Sequence, residues 1–170
     1  MSDPNASTHH FASHLVWTGA ERGGTTSYDA YSRRYRVDIE GKPPLIGTSA
    51  PPFGGEADLH NPEDLLMAAL SACHFLSYAA LCARSSINVL AYEDRATGVM
   101  QRVSGVTRFT EVVLHPRVTV APGSDLEKAR ALHTRAHSIC FIANSVNFEV
   151  KNEPTIVVAG GHDSGRRSSD

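Results

Sequence analysis

Hydrophobic and polar positions follow different periods along the chain, and each period predicts a different element. Tyr35, Val37 and Ile39 alternate with charged residues, which predicts a half-buried strand. A first strand is also expected over Phe11–Trp17. The segment 40–60 is rich in proline and glycine and predicts a long irregular loop.

The longest apolar segment, Leu65–Ala83, contains no charged residue and predicts a long helix. Asn61 is a suitable N-cap, Pro62 suits the first helical position, and the helix is expected to end near Arg84. Length alone would fit a membrane span. The polar residues inside the segment and the lack of a flanking basic cluster favour a buried helix of a soluble protein.

After this helix, the pattern predicts two long strands over 88–100 and 107–121, joined by a turn near 102–106. Pro116 indicates an edge or a bulge in the second strand, because proline cannot donate a ladder hydrogen bond. Further strands are expected over 145–158.

A second helix is predicted from the capping box formed by Ser124 and Glu127, and it should end near Ile139. Apolar residues at helical spacing predict its buried stripe. They are Leu126, Ala129, Leu132, Ala136 and Ile139.

The order of these elements predicts an α+β fold with mainly antiparallel sheet. A single domain is expected over residues 11–158. Residues 1–10 are interpreted as a flexible N-terminal arm, and residues 159–170 as a disordered polar tail.

Composition and charge narrow the possible functions. The chain has 170 residues, a net charge of -2 and no long basic run, so neither nucleic acid nor a membrane is an expected partner. The first residues lack the apolar segment of a secretory signal, and a cytoplasmic location is expected. With three cysteines in that compartment, any disulfide should be transient and chemical rather than structural.

The cysteines differ in their predicted roles. Cys73 and Cys82 are nine residues apart on one helix, which is two and a half turns, so they face opposite ways. Cys82 has no activating group nearby in the sequence and is interpreted as packing. Cys140 ends the second helix, and spacing alone does not establish whether it touches Cys73.

Three features together resemble the OsmC/Ohr family of thiol-dependent peroxidases. They are the segment NPEDLLMAALSACHF at 61–75, the interval of 67 residues from Cys73 to Cys140, and the segment RAHSICFIANSV around Cys140. The resemblance covers residues 11–158. It implies the OsmC-like fold, an intertwined homodimer in which sheets from both chains surround two central helices, and no cofactor.

The resemblance also implies a mechanism. Cys73 would be the peroxidatic cysteine, reducing an organic hydroperoxide, or hydrogen peroxide, and becoming a sulfenic acid. Cys140 would resolve the sulfenic acid as a disulfide, which a dithiol reductant of the lipoyl type would reopen.

By the same resemblance, a glutamate and an arginine hold the reactive cysteine as a thiolate, and Glu63 matches the glutamate. Arg22, Arg33 and Arg34 are candidates for the arginine. Arg33 is favoured, because Arg34 shares the parity of Arg36 on the predicted solvated face of the strand.

Helix geometry constrains this site. Ten residues separate Glu63 from Cys73, about 15 Å along a helix axis, which is too far for one side chain to span. If both residues serve one site, the glutamate comes from the partner helix or acts through an arginine. The first option predicts an active site at a dimer interface, where several alanines would allow close approach. They are Ala68, Ala69, Ala72, Ala79 and Ala80.

Two other functions remain open. His133, His137 and Cys140 share one helical face, and Cys73 or His74 would complete four ligands for zinc. Alternatively, the same fold could bind a small hydrophobic ligand without turnover. His74 itself could approach the thiolate or fill the core.

Overall fold

The structure is a computed structural model that describes residues 8–160. These residues form two compact units that divide between Leu65 and Leu66. Most of the predicted N-terminal arm (1–7) and of the polar tail (161–170) lies outside the described residues.

The first unit is built on an antiparallel sheet of order β1-β2-β3, with short 3-10 helices at Gly19–Arg22 and Pro51–Phe53. Its strands are β1 (His14–Trp17), β2 (Tyr35–Asp38) and β3 (Leu45–Gly47). The prediction that 40–60 is wholly irregular is therefore wrong. β3 is too short to show a period and forms by pairing with β2. The Tyr35 ring occupies the space above Gly47, 2.4 Å from where a Cβ would lie, so any other residue there would displace the ring.

Helix α1 spans Pro62–Arg84, with the start and end that the sequence predicts. The Asp64 N–H donates to Asn61 Oδ1 at 2.9 Å, and the Asn61 N–H donates to Asp64 Oδ2 at 3.3 Å, which confirms Asn61 as the N-cap. By length and hydropathy alone α1 could cross a membrane. One face, however, is packed inside the protein, as in a core helix. Its buried residues are Leu70, His74, Tyr78, Leu81 and Cys82.

The second unit contains a sheet of order β4-β7-β9 and a sheet of order β5-β6-β8. The strands are β4 (Val89–Asp94), β5 (Thr97–Val103), β6 (Val106–Leu114), β7 (Pro116–Val120), β8 (Glu149–Asn152) and β9 (Thr155–Val158). Pairing is antiparallel between β4 and β7 and between β5 and β6. β8 pairs with β6 in parallel, and β9 pairs with β7 in parallel.

The prediction of two long strands is wrong, because each divides and sends its halves into different sheets. Asp94 lies at the division. Its carboxylate accepts the His115 N–H at 2.7 Å and the Ser71 hydroxyl at 2.6 Å, so a side chain replaces ladder pairing there. Pro116 is the first residue of the central strand β7, not of an edge strand.

Helix α2 spans Leu126–Ile139, and Cys140 is its C-cap. Its N-cap is Asp125, whose carboxylate accepts the Lys128 N–H at 2.9 Å. The predicted capping box beginning at Ser124 is therefore wrong by one residue, because the adjacent carboxylate reaches the orphan N–H instead.

The buried apolar stripe of α2 is shorter than the sequence predicts. Leu126 and Ile139 at its two ends are exposed, while the middle of the stripe is buried. The buried apolar residues are Ala129, Leu132 and Ala136. They join α1 and the β4-β7-β9 sheet in one core cluster, and a second cluster surrounds Leu70 and Val112. The predicted α+β class with mainly antiparallel sheets is confirmed.

Candidate active site

The thiols of Cys73 and Cys140 meet where α1 passes the end of α2. Cys73 is half-buried on α1, and Cys140 is 1% exposed at the C-cap of α2. The two thiols are free and lie close enough to interact electrostatically. Residues 67 positions apart in sequence are thus brought together, which their spacing could not establish.

Backbone amides after α2 face both sulfurs. The Ile142 N–H donates to Cys73 Sγ at 3.5 Å. The backbone N–H groups of Ala143 and Ile142 also act on the Cys140 thiol and lower its pKa. Such donors favour a thiolate. Sequence reasoning missed these groups, because a backbone donor has no side-chain signature.

Burial nevertheless dominates at Cys140. It raises the pKa of the Cys140 thiol to about 11, and the neighbouring Cys73 side chain adds to this effect. Cys140 is therefore a neutral thiol at pH 7, since a pKa well above the ambient pH leaves the proton in place.

An apolar groove of about 520 Å³ lies beside Cys73. Leu76 and Phe141 stand at its surface and are 64% and 82% exposed. Its other lining residues include Ala69, Ala72, Ala80, Arg84 and Ile139. The groove gives Cys73 an approach lined mainly by hydrocarbon, with Arg84 as its charged residue.

Cys82 lies on the opposite side of α1, as the helical spacing predicted. It is 1% exposed within the core cluster and contacts the Tyr78 side chain. Burial raises the pKa of its thiol. This environment is that of a packed, unreactive cysteine.

The predicted zinc ligands do not form a metal site. Within residues 8–160, no group of three or more His, Cys, Asp or Glu residues is arranged to hold a metal ion. His133 is 1% exposed, and its Nδ1 lies 3.0 Å from Nε2 of His74. That nitrogen is therefore engaged with another histidine.

In the first unit, Arg33 and Arg34 have different surroundings. The Arg33 guanidinium donates to the carbonyls of Tyr28 and Tyr31 at 2.8 and 3.4 Å and lies over both rings. Across residues 8–160 it has no carboxylate partner. Arg34 is paired with Glu56 through two N–H groups, one of them at 2.6 Å. The Arg22 side chain lies outside the described part of the chain.

Glu63 occupies the first turn of α1. Its Oε2 atom is buried and has no hydrogen-bond partner among the described residues. The carboxylate also contributes, after burial, to a raised pKa of Tyr35. A buried acceptor without a donor is costly, so Glu63 needs a further partner.

The OsmC-like protein family model matches residues 55–154. The chain belongs to the OsmC family. An OsmC-like protein of unknown function from Vibrio cholerae has 31% identity and a TM-score of 0.78, with 87% of this chain and all of that chain covered. The predicted resemblance and the OsmC-like fold are therefore confirmed.

A further solved structure and a curated protein are also similar to the chain. An organic hydroperoxide resistance protein from Elizabethkingia anophelis has 20% identity and a TM-score of 0.66, covering 89% of this chain and 98% of that chain. The uncharacterized protein YmaD of Bacillus subtilis is 24% identical over 111 residues, which are 62% of this chain and 74% of that protein.

Proposed function

We propose that this OsmC-family protein is a cofactor-free, cysteine-dependent peroxidase that reduces organic hydroperoxides, with hydrogen peroxide as a poorer substrate. The observation that carries the proposal is the contact between the Cys73 and Cys140 thiols. Two thiols from different helices that touch can form and release a disulfide. Fold neighbours named organic hydroperoxide resistance proteins, including that of Elizabethkingia anophelis, support the same chemistry.

In the first step, the Cys73 thiolate attacks the distal peroxide oxygen. The O–O bond breaks, the leaving alkoxide takes a proton to become an alcohol, and Cys73 becomes a sulfenic acid. The half-exposed position of Cys73 and the N–H of Ile142 directed at its sulfur support this role.

In the second step, the Cys140 sulfur attacks the sulfenic sulfur of Cys73. The S–O bond breaks, the thiol proton of Cys140 leaves with the hydroxide as water, and a disulfide forms. The raised pKa of Cys140 supports the assignment, because a neutral thiol does not compete with Cys73 for the peroxide. An external dithiol of the lipoyl type then reduces the disulfide through a mixed disulfide.

The groove beside Cys73 accounts for a preference for organic peroxides. Its alanines, Leu76 and Phe141 offer apolar surface to the hydrocarbon part of the substrate. Burial of apolar area contributes about 25 cal/mol per Å² to binding, and hydrogen peroxide has no such part.

The active form is a homodimer in which a second copy supplies Glu63 and Arg33 to each Cys73. Glu63 lies about 15 Å from Cys73 along α1 and has a buried oxygen in need of a partner. Arg33 is held by carbonyls and aromatic rings, and its charge is not neutralised by any described carboxylate. A row of exposed apolar residues on α1 offers the contact surface. It comprises Ala68, Ala72, Leu76 and Ala80.

Peroxide consumption with reduced lipoamide tests the function directly. Wild type and Cys82→Ser are expected to turn over at similar rates, while Cys73→Ser and Cys140→Ser lose turnover. A dimedone-trappable sulfenic acid should form only when Cys73 is present. Undiminished activity in Cys73→Ser contradicts the proposed cysteine mechanism, whereas absence of turnover in wild type leaves ligand binding in the groove as the function.

Sedimentation velocity tests the dimer. Leu76→Glu places a charge in the apolar row and is expected to give monomers with little activity, because an unpaired buried charge costs several kcal/mol. Leu90→Glu, at an exposed leucine of β4, is the matched control and should remain dimeric. A wild-type monomer with full activity contradicts this arrangement.

The cellular setting follows from the chemistry. A thiol that must return to the reduced state after each turnover requires a reducing compartment, so we place the protein in the cytoplasm.

Arg22 and Arg34 remain alternatives to Arg33, and charge-removing variants of each in the peroxide assay distinguish them. Arg34→Gln should mainly disturb its ion pair with Glu56, whereas Arg33→Gln should slow sulfenic acid formation.

A further inference from the structure

A hydrogen-bonded pair of histidines, which the reaction above does not use, joins α1 to α2 inside the core. His74 Nε2 and His133 Nδ1 are 3.0 Å apart, and their ring planes differ by 11°. Both side chains are 1% exposed. At this distance one of the two nitrogens carries the proton and donates to the other. We name this pair the His74–His133 link.

The surroundings keep the link neutral. Burial lowers the pKa of His74 to about 4 and that of His133 to about 3. The charged or titratable groups that act on the pair are Asp94 from β4 and His137 and Arg130 from α2. At pH 7 neither ring is charged, so the link is one directional hydrogen bond and not an ion pair.

Considered only for its contribution to folding stability, the link is unfavourable. His74 Nδ1 and His133 Nε2 are buried without hydrogen-bond partners among the described residues. Apolar side chains would fill the same volume without desolvating those nitrogens. What an apolar pair cannot supply is direction, since a hydrogen bond fixes distance and angle whereas apolar contacts allow sliding.

The link also lies close to both cysteines along the chain. His74 directly follows Cys73, and His133 precedes Cys140 by seven residues, nearly two turns of α2. A displacement of α2 along α1 would therefore move the Cys140 thiol relative to Cys73. The other hydrogen bond joining the helices here runs from the Tyr78 hydroxyl to the Ala129 carbonyl at 3.2 Å.

We propose that His74 and His133 are positioning residues whose hydrogen bond holds α1 and α2 in the register that keeps Cys73 and Cys140 in contact. The link thereby sets the rate of the disulfide-forming step and leaves peroxide attack unaffected. This inference rests on the proposed function for its kinetic consequence. The geometric consequence, a high effective concentration of one thiol at the other, does not depend on peroxide.

Two substitutions separate the hydrogen bond from packing. His133→Phe keeps an aromatic ring to stack on Tyr78, whose centroid is 3.7 Å away, but removes the nitrogen. His133→Asn keeps a hydrogen-bonding atom near the position of Nδ1 and loses the stacking. Quench-flow trapping with dimedone would measure sulfenic acid formation and its conversion to disulfide separately.

The Phe variant is expected to slow disulfide formation roughly three- to tenfold, the effect of losing one hydrogen bond. Its sulfenic acid formation should stay within about twofold of wild type, and the Asn variant should retain the wild-type resolving rate. Val112→Ala, in the other core cluster, is the control for general destabilisation and should slow neither step.

Three results overturn the inference: an Asn variant as slow as the Phe variant, a Phe variant with an unchanged resolving step, or equal slowing of both steps. A glutathione redox buffer gives a second readout that needs no peroxide. There, His133→Phe should lower the equilibrium constant for the Cys73–Cys140 disulfide three- to tenfold, and His133→Asn should not. If wild type forms no sulfenic acid, the proposed function fails, while this equilibrium still decides the role of the link.

Discussion

Two cysteines on the same helix have opposite surroundings, although both lie in apolar sequence. Cys73 is half-buried beside an open groove, with a backbone N–H and a second thiol at its sulfur. Cys82 is enclosed in the core against Tyr78, and burial raises its pKa. The difference shows that the thiol environment depends on which face of α1 carries it, and that the neighbouring residues in sequence do not determine it.

The largest expected effect is in alkylation of the native protein. Iodoacetamide should modify Cys73 at least about a thousandfold faster than Cys82, because a core thiol reacts only through unfolding that costs 5 kcal/mol or more. Peptide mass spectrometry at timed intervals measures both rates. In urea the two rates should converge, and equal rates in the native protein would remove the proposed contrast.

The buried histidines His74 and His133 should also make the folded protein less stable in acid. The pKa values of His74 and His133 lie below the unfolded value of 6.5, so the unfolded chain binds more protons between pH 6.5 and about 4. Stability is complete above pH 6.5 and falls as the pH drops. Between pH 7 and 5 the loss should be about 2 kcal/mol per histidine, measured by urea denaturation.

The double variant His74→Phe, His133→Phe provides the reference for that measurement. Its stability should change less over the same pH interval, because the two buried bases are gone while other titrating groups remain. Identical pH dependence in the variant and wild type would mean that these histidines do not titrate as their burial implies.

A smaller effect is expected from the backbone donor at Cys73. Ile142→Pro removes the N–H, together with part of the side chain, at a residue whose φ of -69° already suits proline. Loss of the N–H that donates to the Cys73 sulfur should slow the alkylation of Cys73 at pH 7 up to tenfold. Ile142→Ala, which keeps the N–H, is the control and should leave the alkylation rate of Cys73 unchanged.

The smallest contrast is in folding stability. Cys82→Ala opens a cavity in the core and should cost about 1 kcal/mol, whereas Cys73→Ala should stay within about 0.5 kcal/mol. Thermal denaturation under reducing conditions compares them. A larger loss for Cys73→Ala would indicate that its contacts are structural.

The sequence predicts an element well when the residues that determine it lie within that element, and poorly when they lie far apart in the chain. α1 was predicted from Asn61 to Arg84, because its cap and its apolar run lie within the segment itself. The division of the long strands was not, since it depends on Asp94 reaching the His115 N–H 21 residues away. The N-cap of α2 is Asp125 and not the predicted Ser124, because either of these adjacent side chains can accept a hydrogen bond from the first turn.

The candidate site shows the same limit. Cys73 and Cys140 could be named from motif spacing, but their contact depends on how α1 and α2 pack. The role of Ile142 depends on a backbone atom, and the His74–His133 link joins residues 59 positions apart. Each of these features becomes visible only when the two helices are placed together.

The long interval between Cys73 and Cys140 has a thermodynamic consequence. A disulfide between them closes a loop of 67 residues and, by loop entropy, destabilises the unfolded chain by about 4 kcal/mol relative to the reduced state. Each catalytic cycle would then alternate between a more and a less stable form of one fold. In the proposed cycle the same energy would oppose reduction, so a dithiol reductant would use part of its driving force to reopen a chain that oxidation has made harder to unfold.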